Sequence, residues 1–182
     1  MVGLWARLGA RFLPPTIHPM VVHFPIALLY LATLIDFVAV VRPRHRSHAY
    51  HQFGFWILTL ALVSLVAAAL AGVVSEQFAH WTPATRAILE AHQRDALITG
   101  LLASLGWVLQ LATPFREVRR EAWSIAGRGR VSWGVWVLVA AATAMVSVTG
   151  TLGGSMVYHH GVGISAVSRG ALPAAGGGKA GR

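Results

Sequence analysis

Cysteine is absent from the chain, and lysine nearly so: Lys179 is the single lysine among fifteen basic residues. The first absence excludes disulfides, thiolate-bound zinc, iron–sulfur clusters and covalently attached c-type haem, and leaves histidine and carboxylate as the strong metal ligands. Acids are scarce too, with six Asp and Glu in 182 residues. No nucleophile–base pair, phosphate loop or nucleotide fingerprint is present, which removes the basis for a hydrolase or kinase reading. What fills the chain instead is apolar: 55% of residues are hydrophobic and the mean hydropathy is +0.61. That is the composition of an integral membrane protein. The apolar stretches recur along the whole chain, unlike the single short run of a secretory signal.

Four runs are long and apolar enough to read as membrane spans, at about residues 19–41, 53–74, 96–112 and 131–156, the third stopped by Pro114. At 1.5 Å per residue even the shortest covers about 26 Å, close to a hydrocarbon core of roughly 30 Å. The expected fold is all-α, a four-helix transmembrane bundle with up-down-up-down topology over residues 17–164. An N-terminal interfacial segment (1–16) precedes it, because Leu4, Leu8 and Phe12 share a helical face beside Arg7 and Arg11. A glycine- and alanine-rich tail (165–182) follows, with the composition of a disordered segment. Small residues one turn apart, Ala68 with Gly72, Gly100 with Ser104 and Gly150 with Gly154, predict close helix packing. Trp56, Trp107, Trp133 and Trp136 lie near span ends, as interfacial aromatics do.

The net charge of +9 would suggest nucleic acid in a soluble protein. Here the arginines sit between spans, so they orient the chain and no nucleic-acid partner is expected. Arg42, Arg44 and Arg46 in the first loop, and Arg116, Arg119, Arg120, Arg128 and Arg130 in the third, outweigh Arg86 and Arg94 in the second. The first and third loops are then cytoplasmic and both termini lie outside an inner membrane.

Four passes bring the start of span one, the end of span two, the start of span three and the end of span four to one membrane face. Six of the nine histidines gather there. His18 and His23 open span one, Glu76 and His80 follow span two, Glu90 and His92 precede span three, and Tyr158, His159 and His160 close span four. His45, His48 and His51, in the arginine-rich first loop, read as ordinary solvated residues. Imidazoles converging in a helical bundle suit axial ligation of haem, binding of zinc or copper, proton transfer or hydrogen bonding to a quinone.

His23 stands out as an imidazole inside an apolar run, two residues before Pro25. On one continuous helix His18 and His23 point about 140° apart and do not serve one site easily. A span that starts at Pro25 instead of Pro19 would let both turn inward. Glu76 and His80 share a helical face and read as an ion pair. Asp36, the one acid within a span, reads as a partner of Arg42, with proton relay as the alternative. Gly153 and Gly154 clear space for backbone packing or for a flat macrocycle. A second haem is not expected, since His23 and His45 are about 33 Å apart along a helix.

Three stretches, "HPMVVHFPIALL" at residues 18–29, "AHQRDAL" around His92 and "GTLGGSMVYHHGVG" at 150–163, resemble a family of bacterial predicted membrane proteins catalogued as domain of unknown function 2231. The likeness covers roughly residues 17–164. It implies a shared topology and a shared site, with His18, Pro19, His23 and Pro25 in the first motif and Gly153, Gly154, Tyr158, His160 and Gly161 in the last. His159 adds a histidine where one is expected.

The leading expectation is one b-type haem near the outer face, in an electron carrier or accessory subunit of a redox assembly rather than a stand-alone enzyme. Its axial ligands are His23 and His92, with His18 and His160 as alternates or neighbours. A copper or zinc site from His18, His23, His92, His160 and Glu76 is the alternative. The third reading is a cofactor-free structural subunit. Expected partners are membrane lipid, other respiratory or redox subunits, or a second copy of the chain.

Overall fold

A computed structural model describes residues 2–14, 16–42, 44–115 and 131–162, and every regular element in them is helical. The helices are α1 (Val2–Phe12), α2 (Ile17–Val21), α3 (His23–Val41), α4 (Arg44–Ser75), α5 (Pro83–Phe115) and α6 (Trp133–Tyr158), with a 3-10 turn at Glu76–Phe78 after α4. The arginine-rich third loop and the tail expected to be disordered lie outside the described residues.

Local chemistry explains where the helices begin and end. α5 starts on a reciprocal cap: Thr85 N donates to Thr82 Oγ1 at 3.2 Å, Thr82 N donates to Thr85 Oγ1 at 2.9 Å, and Pro83 occupies the first helical position. Ser132 caps α6 by accepting from Val135 N at 3.2 Å. Gly161, at φ 63°, ends that helix, and Val162 N turns back to Met156 O at 2.9 Å. α2 and α3 form one apolar stretch from Ile17 to Val41. Pro25 has no N–H for the Val21 carbonyl and its ring crowds that carbonyl, so the hydrogen bonding breaks at Val22. Val22 nevertheless keeps helical angles, φ −62° and ψ −22°. The span therefore starts before either proline, at Ile17.

α3 packs along α4, and α5 along α6, as two antiparallel hairpins; α3 against α6 joins the pairs, and α4 meets α5 more sparsely. Leu29, Ala32, Leu58, Ala61, Ala103, Val139 and Ala142 form the core, all fully buried. Hydroxyls and indoles tie the helices where no water is at hand. Thr33 and Thr143 share a 2.7 Å hydrogen bond, Trp136 Nε1 donates to Thr33 O at 3.2 Å, and Trp107 Nε1 donates to Thr59 Oγ1 at 2.9 Å. Trp107 also stacks on Phe55, at 5.8 Å and 15°. It is thus a packing residue of the interior face as well as an aromatic near a span end.

The outward faces are apolar on every long helix, through residues such as Leu34, Val63, Leu101 and Val137. Three helical stretches are long and apolar enough to cross a membrane: Ile17–Val41, Ala49–Phe78 and Trp133–Tyr158. α5 is not among them. Its first half carries Arg86, Glu90, Arg94 and Asp95, and the uncharged run that remains is the shortest of the four. α1 lies on α4 through Ala6 and through Gly9 against Val74, and turns Leu4, Leu8 and Phe12 outward beside the exposed Arg7 and Arg11.

Several expectations are corrected. α4 begins at Arg44, so the first loop is almost wholly helix, and His51, expected to be solvated, is 1% exposed. The side chains of His45 and His48 lie outside the described residues. Asp36 does not reach Arg42 or the surface. It is fully buried and accepts from Gln110 Nε2 at 2.6 Å, while Arg42 lies over the Tyr50 ring at 5.7 Å. Gly100 and Gly150 face open space rather than a neighbouring helix.

The close approach of α5 and α6 is made instead at Gly106, where an added Cβ would lie 2.9 Å from Val139 Cγ2. Gly106→Ala should therefore destabilise the protein by about 1–3 kcal/mol through overpacking, whereas Gly100→Ala should change stability by less than about 0.5 kcal/mol. Thermal unfolding of the two variants in one detergent checks the contrast.

Candidate functional site

Two of the histidines singled out in the sequence, His18 and His92, meet at one end of the helices. His18, in the first turns of α2, reaches the last turns of α4, and His92, on α5, reaches the last turns of α6. His18 Nδ1 lies 2.9 Å from the carbonyl of Ala68, and His92 Nδ1 lies 2.9 Å from the carbonyl of Thr149. A carbonyl oxygen only accepts, so each Nδ1 is the N–H of its ring. In a neutral imidazole the lone pair then sits on Nε2. That is the arrangement in which a histidine is oriented for a metal: one nitrogen anchored and the other available.

The two rings approach each other in a T-shaped arrangement, with centroids 6.1 Å apart and planes at 83°. Among the described residues, α2 and α5 make no close backbone approach, and the two imidazoles approach each other across the space between these helices. Beneath each ring lies a glycine. A Cβ on Gly72 would stand 3.3 Å from His18 Nδ1, and one on Gly153 would stand 3.4 Å from His92 Cε1. The backbone N–H of His18 is directed at Ser75 Oγ, 3.4 Å away.

The other residues singled out in the sequence stand around or away from this pair. His23 is exposed: because the helix runs through Val22, the turn between His18 and His23 points them apart, and His18 takes the inward place expected of His23. Glu76 accepts from Gln93 Nε2 at 2.7 Å instead of pairing with His80, which is exposed. This contact closes the 3-10 turn onto α5 one residue from His92. Tyr158, His159 and His160 are all exposed; His160 Nδ1 lies 3.2 Å from Ser155 O in the turn that ends α6. Gly154 neighbours the Tyr158 ring rather than an imidazole. Asp95 lies well inside α5, is buried, and accepts from Arg94 Nε at 3.0 Å. The set His18, His23, His92, His160 and Glu76 is not gathered, and among the described residues no three His, Asp or Glu side chains form a metal-holding group.

The family of predicted membrane proteins designated DUF2231 matches residues 14–166. The chain belongs to this family. No curated protein and no solved structure matches the chain. The DUF2231 match contains both imidazoles, both carbonyl anchors and both glycines, so the whole arrangement belongs to the family region and not to an appendage.

Sequence reading missed the anchors because they are main-chain atoms. A signal was nonetheless present: Ala68 precedes Gly72, and Thr149 precedes Gly153, by one helical turn each.

His92 lies before the uncharged run of α5, and burial lowers its pKa below the ordinary 6.5; the Thr149 carbonyl opposes this, and nearby His18 adds to it. A base that binds its proton less readily when folded contributes stability above the unfolded pKa, lost as pH falls below about 6.5. The melting temperature should drop between pH 7.5 and 5, and the drop should be smaller in His92→Gln.

Proposed function

We propose that this DUF2231 protein is a four-span membrane haem protein, with His18 and His92 as the axial ligands of a single b-type haem. The observation that carries the reading is the imidazole pair at 6.1 Å, each ring anchored through Nδ1 with Nε2 left for a metal. Two imidazoles on one iron, each with a bond of about 2 Å, place their ring centres roughly 6 Å apart. The pair stands at that separation. The glycines under the rings, and the backbone separation of α2 from α5 among the described residues, suit a flat group set between the imidazoles. Zinc, by contrast, asks for four ligands, and the described side chains supply these two.

A haem held between His18 and His92 would supply one-electron exchange. The chain's own residues would hold the two imidazoles oriented, and keep lipid on the outer side of the bundle. α5 would be the fourth span, since Leu97, Leu101 and Leu105 face outward along it as the apolar residues of the other three do. The arginines of the first and third loops would keep those loops cytoplasmic and put the haem near the outer face of a bacterial inner membrane. There the protein would pass electrons to a redox partner.

A purified sample should show a Soret band that shifts, with a sharpened α band, on reduction by dithionite. His18→Ala and His92→Ala should each abolish the low-spin spectrum, and His23→Ala should leave it intact. A colourless protein after expression with ample haem supply contradicts the proposal, as does loss of the spectrum in His23→Ala alone.

A further inference from the structure

The two half-sites are related by more than their facing rings. Lay α2 and α3 along α5 so that His18 meets His92, and four buried residues fall on buried residues without a gap, Pro25 on Thr99, Leu29 on Ala103, Ala32 on Gly106, and Asp36 on Gln110, while the buried Ile35 falls on the exposed Leu109. α4 and α6 align in the same way, at one constant spacing of their own. Leu58 falls on Val139, Ala61 on Ala142, the anchor Ala68 on the anchor Thr149, and Gly72 on Gly153. The pairs that meet across the resulting axis are equivalent positions: His18 with His92, and five turns further on, roughly 27 Å, Asp36 with Gln110. Little sequence identity accompanies this register, but the histidine and the glycine beneath its ring, Gly72 and Gly153, survive in both hairpins.

We infer that the chain is an internal repeat of one helical hairpin about an axis along the bundle, and that Gly72 and Gly153 are positioning residues that hold the two axial imidazoles crossed. The inference rests on the haem reading above and adds to it the orientation of the ligands and the residues that set it. Each module fixes its ring by two contacts, a hydrogen bond from Nδ1 to a carbonyl and the flat face of a glycine one turn further on. Two modules related by an axis along the bundle direct their rings at each other with planes at 83°. Crossed imidazole planes leave the two iron d orbitals that interact with the ligand π systems almost equal in energy. Parallel planes split them.

Electron paramagnetic resonance of the ferric holoprotein reads this splitting directly. The expected spectrum is a single low-spin signal dominated by one large g value. A rhombic three-line spectrum from fully loaded protein overturns the inference and leaves the haem reading standing; absence of haem overturns both. Gly72→Ala puts a methyl 3.3 Å from His18 Nδ1, so the ring must yield and the spectrum should move toward the rhombic form. Gly153→Ala, with 3.4 Å to His92 Cε1, should move it less. Gly100→Ala and Gly150→Ala, which face open space, should leave it unchanged. An unchanged spectrum in loaded Gly72→Ala and Gly153→Ala overturns the positioning role, and if Gly72→Ala does not fold, the wild-type spectrum and Gly153→Ala decide.

Discussion

Two hydrogen bonds from imidazole Nδ1 to a helix carbonyl, His18 to Ala68 and His92 to Thr149, are the constraint around which the histidine-rich end is organised. Each fixes a tautomer, aims a ring and links the first helix of a hairpin to the last turns of the second. The carbonyls already serve their own helices, so they accept the second bond without leaving a backbone group unpaired. The glycine one turn further on is what lets the ring lie close to the helix surface. Because each imidazole is anchored within its own hairpin, the pair can face across the bundle without α2 and α5 touching.

The opposite end of the axis is built from the same register and different chemistry. Asp36 and Gln110 meet there through a 2.6 Å hydrogen bond, and Gly54 brings α4 against the carboxyl. A carboxamide and a carboxyl close the interior there by bonding each other, whereas at the other end two imidazoles approach across the bundle. In the hydrocarbon region such a polar pair is costly unless satisfied, and its burial argues that it ties α3 to α5.

Much of the fold was legible in the sequence because membrane helices are written in length and hydropathy. The apolar runs ending at Val41 and spanning Phe53 to Val74 were recovered, and the convergence of His18 and His92 at one end followed from counting passes. Helix extent was less legible. α4 and α5 continue far beyond their apolar cores, since arginine, histidine and glutamate are helix formers that hydropathy treats as a stop. The choice between His18 and His23 turned on whether Pro25 ends a helix or only interrupts its bonding, and a single proline in a well-packed apolar helix does the latter. Spacing alone read the glycines unevenly: Gly100 and Gly150 satisfy a small-residue pattern but face open space, Gly72, read by the same pattern, does pack closely, and Gly106, which the pattern did not single out, packs closest of all against α6.

The central claim is that His18 and His92 form one two-ligand site. Titration of cofactor-free protein with ferric haem tests it most directly, followed by the growth of the six-coordinate low-spin spectrum. The account predicts an end point at one haem per chain, reached only when both histidines are present. An end point at any other ratio, or an unaltered low-spin titration in the doubly substituted His18→Ala, His92→Ala protein, would contradict it.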